Sequence, residues 1–482
     1  MWCCVSIIRC GLLSLLLSWT SVLYAAEIGE INAREAELID HIQSLQERVE
    51  DLERRLDGQP YADTDAALEA RIEAVESSII TQATPAGNDF RAYWSDGLRF
   101  ETMDEQVRLR IGGRIHNDWY WFDESRDLHR SLGNIDDGVL FRRARLYMSG
   151  EVGEHLRFTA QYDFAGGDAD FRDVYMELAE LPGVGNIRIG QFKEPFGMEE
   201  LISSNNIPFI ERSQPTSVFA PSRSTGVMVH NRFLEDRLAG FVGVFRDSND
   251  YGNHARDGKY TVAARVTGLP WYAEEGRQLL HLGLAYSYRK LDGEYRVNVR
   301  PEARLTPRFL DTGLIAADKE QRLGLEAAGV YGPFSLQAEY MMSEVDTDFL
   351  GKREMDGWYV LGSWVMTGEN RSYSRAAGTF GGIKPRNNFK LSGEDRGLGA
   401  LELALRYSEL DLNDGGHRGI QGGSEDTITL GLNWYLNPNA RIMFNYMHTQ
   451  VDRDFYYSAN NWVFRARGLS LNAFSTRFQV NF

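Results

Sequence analysis

Apolar and polar residues alternate along most of the chain, a pattern that predicts β-strands with one face in an apolar environment and the other in water. The first long strand, residues 107–122, shows the pattern clearly. Its apolar face carries Val107, Leu109, Ile111, Ile115, Trp119 and Trp121, and its polar face carries Arg108, Arg110, Arg114, His116 and Asp118. Lipid suits the first face and water the second. After the N-terminus no run approaches about 18 consecutive apolar residues, so we do not expect membrane-spanning helices.

The same periodicity predicts sixteen strands in residues 105–482. They are 107–122, 141–150, 156–164, 174–178, 187–192, 226–231, 238–246, 259–268, 279–291, 322–331, 334–345, 358–366, 398–410, 427–436, 441–451 and 469–482. An even count and an alternation of short and long connections are typical of single-chain bacterial barrels. We therefore predict an all-β transmembrane barrel of 16 antiparallel strands. The connection 368–397 is an exception, because it is long where a short turn is expected.

Residues 190–226 are the longest irregular stretch between two predicted strands. The segment contains four prolines and four phenylalanines, which are Pro195, Pro208, Pro215, Pro221, Phe192, Phe196, Phe209 and Phe219. A long irregular segment inside a compact domain is often functional. A barrel of this size has an aqueous lumen that must be narrowed if the pore selects. We predict that this third external loop folds inward and narrows the lumen.

The N-terminus has the layout of a secretory signal peptide over residues 1–26. Arg9 precedes an apolar run, and the small residues Ala25 and Ala26 end the segment. The three cysteines, Cys3, Cys4 and Cys10, lie inside this segment. The mature chain therefore has no cysteine for a disulfide, a zinc thiolate or a catalytic thiol. The expected location is the bacterial outer membrane, with the N-terminal segment in the periplasm.

A heptad pattern in residues 27–80 predicts an α-helical coiled coil, and residues 81–104 are expected to be a linker. The seam positions are Leu38, Ile42, Leu45, Val49, Leu52 and Leu56, followed by Leu68, Ile72, Val75 and Ile79. A helix with so narrow a stripe cannot bury it alone, which favours self-association. The alternative is a helix packed on its own chain. The a and d residues favour a dimer in model peptides, so this segment does not fix the oligomer number.

Arginines on the predicted lumen face make an anion-selective pore the favoured function. They are Arg108, Arg110, Arg114, Arg143, Arg145, Arg157, Arg265 and Arg289, and the loop adds Lys193, Arg212 and Arg223. Guanidinium groups in a narrow throat favour anions and fit phosphate oxygens. Two alternatives stay open: the loop charges are solvated, or the arginines pair with inward carboxylates such as Asp163, Glu177 and Glu402.

The net charge of −17 is unfavourable for anion passage, but much of it lies outside the predicted barrel. Residues 27–80 contain 15 acidic and 5 basic residues, so much of the acidity lies in the coiled coil. A selective throat depends on the local field.

Catalytic patterns are weak in this sequence. It has no H-E-x-x-H, G-x-S-x-G or P-loop signature, and Asp411, Asn413 and Asp414 form only half of a calcium pattern. We expect no enzyme activity, no catalytic residue, no metal and no cofactor. A barrel hydrolase with a Ser-His pair is a minor alternative.

Several motifs resemble the phosphate-selective porins of the O and P family. They are GGRIHNDWYWFD, FRRARLYMSGEV, RDVYMELAELPGVGNIRIGQFKEPFGMEELISSNNIPFIERS, PSRSTGVMVHN and the final NAFSTRFQVNF, and the resemblance extends over about residues 105–482. It implies a trimer of sixteen-stranded barrels whose throat binds phosphate or pyrophosphate. By motif position it implies eyelet arginines at Arg114, Arg142 and Arg143, with Lys193 as a further candidate.

Two features depart from this family pattern. The coiled coil is an addition, which suggests a periplasmic spacer or a trimerisation stalk. Strict alternation also places Arg142 on the lipid face, in conflict with an eyelet role. A position at the barrel mouth, or a β-bulge near Gly138, would reconcile the two.

The expected protein is thus a passive outer-membrane porin for phosphate, pyrophosphate or polyphosphate. Its expected partners are inorganic anions, outer-membrane lipid and two further copies of itself, with peptidoglycan or a periplasmic partner bound through the coiled coil and no nucleic acid. The competing hypothesis is a structural barrel that tethers the membrane to the cell wall and has only non-selective pore activity.

Overall fold

A computed structural model describes residues 47–48, 90–253, 260–393, 396–416, 419–457 and 462–482. The chain divides into two compact units, residues 1–85 and 86–482. The predicted signal peptide, the coiled coil and residues 81–89 of the linker lie outside the described residues, apart from Glu47 and Arg48, which are helical. In the part of the chain that is described, no helix combines the length and the apolar character needed to cross a membrane.

Eighteen strands of the second unit form one antiparallel sheet. The first two are β1 (Phe90–Trp94) and β2 (Leu98–Thr102). The barrel strands before the third loop are β3 (Val107–Glu124), β4 (Gly138–Val152), β5 (Leu156–Asp163), β6 (Asp170–Leu181) and β7 (Gly185–Lys193). Those after it are β8 (Arg223–Phe233), β9 (Leu238–Arg246), β10 (Thr261–Ala273), β11 (Gln278–Tyr295), β14 (Ile315–Tyr331), β15 (Phe334–Thr347), β16 (Gly351–Val365), β19 (Ala400–Asp414), β20 (Ile420–Asn437), β21 (Ala440–Tyr457) and β22 (Trp462–Asn481). Two short pairs lie in connections: β12 (Asn298–Val299) with β13 (Leu310–Asp311), and β17 (Tyr373–Ser374) with β18 (Thr379–Phe380).

The barrel closes because β22 pairs with β3. The antiparallel register runs from Leu471 opposite Glu124 to Asn481 opposite Arg114. The prediction of a sixteen-stranded antiparallel barrel is confirmed. Along β15 exposed and buried positions alternate, as a wall between lipid and lumen requires.

The hairpin β1–β2 lies within residues 81–104, where we expected a linker. β2 pairs with β3 from Leu98 opposite Ile111 to Glu101 opposite Arg108. It therefore uses the part of β3 that extends past the last residue, Phe482, whose backbone bonds to Gly113. The hairpin continues the barrel wall at the terminal mouth, the end of the barrel at which β3 begins and β22 ends.

Loop 3, residues 194–222, folds into the lumen as its apolar residues predicted. It contains two short helices, α2 (Met198–Leu201) and α3 (Gln214–Phe219), which follow α1 (Arg126–Leu132) of loop 1. The Phe196, Phe209 and Phe219 side chains are fully buried. Backbone N–H groups of Met198 and Glu199 donate to the Glu339 carboxylate on β15, both at 2.7 Å. These contacts hold the loop against the far wall and leave a passage on the side of β3–β9.

Residues 366–399, the inner segment, explain the long connection that did not fit the alternation. The segment enters the lumen from the terminal mouth. Arg371 donates to the backbone oxygen of Asn206 in loop 3 at 2.8 Å and pairs with Glu402 on the wall. The Phe380 ring packs in one apolar cluster with Met198. Loop 3 is therefore contacted, on the side of the terminal mouth, by a second segment that folds into the lumen.

Loop 5, residues 296–314, contacts loop 3 from the opposite mouth. Glu302 pairs with Arg406 on β19 and accepts a hydrogen bond from the backbone N–H of Gln214 at 3.2 Å. Phe309 and Leu310 of the same loop are fully buried. Loop 3 is thus held in place from both mouths of the barrel, by loop 5 on one side and by the inner segment on the other.

Candidate functional site

A basic passage lies between loop 3 and the wall formed by β3–β9. One part of it, the first cavity, has a volume of about 640 Å³. Nine Arg or Lys side chains line it, against the three carboxylates Asp173, Glu177 and Glu180. Six of the nine site residues predicted from sequence are among them: Arg114, Arg143, Arg145, Lys193, Arg212 and Arg223.

A second cavity of about 450 Å³ lies towards the terminal mouth. Its basic residues are Arg110, Arg114, Lys384 and Arg441, and its acidic residue is Asp96. The two cavities share Arg114, Gln161 and Ser203. Arg114 therefore sits where a solute passes from one cavity into the other.

Arg114 presents its charge at this junction without a carboxylate beside it. Its Nη1 donates to the hydroxyl oxygens of Ser203 at 3.3 Å and Ser204 at 3.0 Å. Among the described residues, no Asp or Glu oxygen lies within 4.0 Å of its guanidinium nitrogens. Because both serine oxygens accept from Arg114, their own O–H groups are free to point into the passage and donate to a solute.

Arg143 is a second cation without a carboxylate partner in the described chain, although only 3% of it is exposed. Its Nη1 lies 3.4 Å from Nδ1 of His116, and Nε2 of His116 lies 3.1 Å from the amide oxygen of Asn205. Since a guanidinium only donates, Nδ1 is the acceptor and Nε2 carries the hydrogen. His116 is thus a neutral spacer that holds Arg143 towards loop 3.

A β-bulge resolves the conflict over Arg142. His116 pairs with Arg143 and the next residue, Asn117, pairs with Phe141, so β4 carries one extra residue at Arg142. The expectation that Arg142 faces lipid is wrong because the bulge turns its side chain inward. There it forms hydrogen bonds of 2.6 and 3.0 Å to Glu211 of loop 3. Arg142 fastens the loop instead of presenting a free charge.

The Glu211 carboxyl stays ionised in this setting. Its burial opposes ionisation, but the charge of Arg142 and the hydrogen bonds from it hold the pKa of Glu211 well below its usual range. A second guanidinium, that of Arg477, lies 3.5 Å away.

The other predicted cations of the first cavity form ion pairs with carboxylates. Arg145 binds Asp163 at 2.7 Å, and Arg223 binds Asp173 at 2.7 Å. Glu200 of loop 3 lies 3.3 Å from Lys193 and 3.1 Å from Arg212. Burial opposes the ionisation of Glu200, but the charges of Arg212 and Lys193 lower its pKa below the usual range. The pairing alternative therefore applies to these four cations.

Arg108 and Arg110 lie nearer the terminal mouth. Arg108 is exposed and contacts Glu101, Glu105 and Glu151. Arg110 binds Asp96 at 3.0 Å and covers the ring of Tyr147. Neither lines the first cavity.

The remaining arginines that were predicted on the lumen face also have carboxylate partners. Arg157 pairs with Glu151 and Glu180, Arg265 with Glu326, and Arg289 with Asp247. The inward carboxylates Glu177 and Glu402 pair with Arg188 and Arg371.

Sequence reasoning missed several polar residues of the passage. Ser203, Ser204 and Asn205 belong to loop 3, where no periodicity indicates orientation. Arg441 donates to the backbone oxygen of Ile207 at 3.0 Å, and like Lys384 it has no carboxylate partner within the described ranges. Arg441 lies at a lumen-facing position of the alternating pattern in β21. The same pattern that identified the other lumen arginines could therefore have identified it. Lys384 lies on the inner segment and gave no signal.

No group of three or more His, Cys, Asp or Glu residues in the described part of the chain is arranged to hold a metal ion.

The chain matches the family described as "Phosphate-selective porin O and P" over residues 109–482. Porin O of Pseudomonas aeruginosa is 25% identical over 424 residues, which are 80% of this chain and 92% of that protein. An uncharacterized protein of Caulobacter vibrioides is 26% identical over 434 residues, 85% of this chain and 84% of that protein.

Among solved structures, the trimer form of the outer membrane protein OmpT of Vibrio cholerae gives a TM-score of 0.48 at 10% identity, covering 78% of this chain and 99% of that one. The anion-selective porin from Comamonas acidovorans gives 0.48 at 13% identity, covering 78% and 100%. The family match extends over most of the chain and coincides with a closed sixteen-stranded barrel, so this chain belongs to the family of phosphate-selective porins O and P and is an outer-membrane porin.

Proposed function

We propose that this porin is a passive channel for anions, with phosphate, pyrophosphate or polyphosphate as its favoured solutes. One observation carries the proposal. Every carboxylate that lines the first two cavities has a cationic partner, whereas four cations there have no carboxylate partner among the described residues. These four are Arg114, Arg143, Lys384 and Arg441.

Unpaired cations in a narrow passage attract anions strongly, because the surrounding protein screens their charge less than bulk water does. The planar guanidinium fork also matches two oxygens of a phosphate group. At the junction an anion would meet Arg114 together with the hydroxyls of Ser203 and Ser204. The net charge of −17 does not oppose this, since selectivity follows the local field.

The paired cations have a different role in this proposal. Each guanidinium that binds a carboxylate is held in place and contributes little net charge. Such pairs line the passage with polar groups that bind a solute weakly. Weak binding lets the solute leave again, which conduction requires. Release therefore stays fast although the junction attracts anions.

The proposal includes a homotrimer in the outer-membrane lipid and a periplasmic coiled coil in residues 27–80 that reaches peptidoglycan or another periplasmic partner. It assigns the chain no enzymatic reaction.

Block of chloride current by phosphate in planar bilayers tests the proposal. Arg114→Ala and Arg143→Ala should each raise the half-blocking phosphate concentration about tenfold, because a hydrogen bond to a charged group contributes about 1.5–3 kcal/mol. Arg108→Ala is the matched control, since Arg108 lines neither of the two cavities and is surrounded by carboxylates. Unchanged block in both single variants would remove these residues from the site.

A further inference from the structure

The wall of the first cavity carries a row of flat side chains that an inorganic anion does not need. Tyr175, Arg188, His230 and Phe241 lie on the consecutive strands β6, β7, β8 and β9, and all four line the cavity. We call this row the planar belt. Phe192 and Met228, which are almost fully buried, line the same cavity.

The belt is built as two stacked pairs. The Arg188 guanidinium lies 4.2 Å from the centre of the Tyr175 ring, and His230 stacks on Phe241 at 5.6 Å with an interplanar angle of 17°. Glu177 joins the pairs, because its carboxylate accepts from Arg188 at 2.7 Å and from His230 at 3.0 Å. Arg188 and His230 are thereby each held beside an aromatic ring.

Such a surface suits a solute with a flat apolar part. The face of an aromatic ring is negative and does not attract an inorganic anion. A guanidinium plane, in contrast, attracts aromatic groups, and Arg188 already lies near two rings, since its guanidinium is also 5.5 Å from the centre of the Phe192 ring. The cavity volume of about 640 Å³ lies within the range of small-molecule sites, far above what one phosphate ion fills.

We infer that the first cavity binds small aromatic anions, such as aryl phosphates, whose ring lies on the planar belt while the anionic group faces Arg114 and Arg143. The inference rests on the proposed anion channel and names a solute class for it. The belt and the two free cations line one cavity, so a single solute of modest size can contact both.

Block of chloride current by three related anions tests this inference on the full-length protein. Inorganic phosphate, methyl phosphate and phenyl phosphate are compared at about pH 8, where all three are largely dianionic. We expect phenyl phosphate to block at a concentration about tenfold lower than the other two. Equal block by all three would overturn the inference and leave the anion channel intact. Cation selectivity without block by any of them would overturn the proposed function.

Two variants locate the effect. Tyr175→Leu and Phe241→Leu keep apolar bulk but remove the ring, so each should bring the phenyl phosphate to phosphate ratio close to one. Tyr147→Leu is the matched control, because Tyr147 lines the second cavity and not the first. Chloride conductance checks that each variant has folded. If Tyr175→Leu weakened block by both anions equally, the ring would serve only to hold Arg188, and the inference would be wrong.

Discussion

Arg142 and Arg143 are neighbours with the same side chain and different surroundings. Arg143 faces the lumen by alternation, and the bulge in β4 turns Arg142 inward as well; among the described residues Glu211 pairs with Arg142, while Arg143 contacts neutral His116 and no carboxylate. The charge available to a solute is therefore set by the partner of each guanidinium. A motif that contains both arginines does not reveal this difference.

This difference predicts separable effects of two alanine variants. Arg142→Ala leaves the buried Glu211 charge without its main partner, so it should lower thermal stability by up to about 3 kcal/mol while changing phosphate block little. Arg143→Ala should weaken block with a smaller loss of stability. Thermal unfolding and bilayer block measured on the same samples separate the two. The assignment is wrong if Arg142→Ala abolishes block as strongly as Arg143→Ala.

The same pair has a defined pH dependence. The folded-state pKa of Glu211 is depressed. The ion pair therefore contributes its full share of stability above the ordinary glutamate pKa of about 4.3, and this stability is lost only as the pH falls well below that value.

The double variant Arg142→Ala/Glu211→Ala removes both charges of the pair. It should cost less stability than the sum of the two single changes.

Loop 3 is an element whose position depends on the opposite wall. The N–H groups at the start of α2 donate to Glu339, which also accepts from the Tyr359 hydroxyl. A typical hydrogen bond contributes about 0.5–1.5 kcal/mol, and a buried N–H left without a partner costs about 1–3 kcal/mol.

Glu339→Ala should therefore loosen loop 3. We expect larger fluctuations of the open-channel current, with a higher mean conductance, in single-channel recordings. Glu344→Ala on the same strand is the control, because Glu344 contacts Gln321 and Lys352 and not the loop. Current noise at the wild-type level in Glu339→Ala would show that other contacts suffice to fix the loop.

Strands with a clear period of two could be predicted from the sequence, whereas the ion-pair partners of their side chains could not. Sixteen strands followed from a period of two, and buried phenylalanines indicated the inward loop. A bulge near Gly138 was one of two ways to bring Arg142 inward, but its position at Arg142 could not be predicted, because FRRAR contains no glycine or proline to mark it. Cross-strand pairs such as Arg145 with Asp163 depend on register, which alternation alone does not give. The inner segment was visible only as a connection of the wrong length.

At the scale of the whole molecule, the described residues that line the passage belong to the barrel unit. All lining residues of the first two cavities lie in residues 86–482. A chain that lacks residues 27–85 should therefore keep its single-channel conductance and ion selectivity, measured beside the full-length protein. A changed selectivity would mean that the N-terminal unit takes part in permeation. Loss of envelope attachment alone would assign that unit a tethering role.

The net charge of the chain and the charge of its passage have opposite signs. The chain carries −17, yet the first cavity has nine basic side chains and three acidic ones. For anions to be preferred, permeating ions must respond to the local charge of the passage and not to the net charge of the chain.

The reversal potential across a planar bilayer with a KCl gradient measures this directly. A potential whose sign shows preferential chloride flow, reduced when phosphate is added to either side, is the predicted result. A reversal potential of the opposite sign, showing preferential potassium flow, would contradict the account.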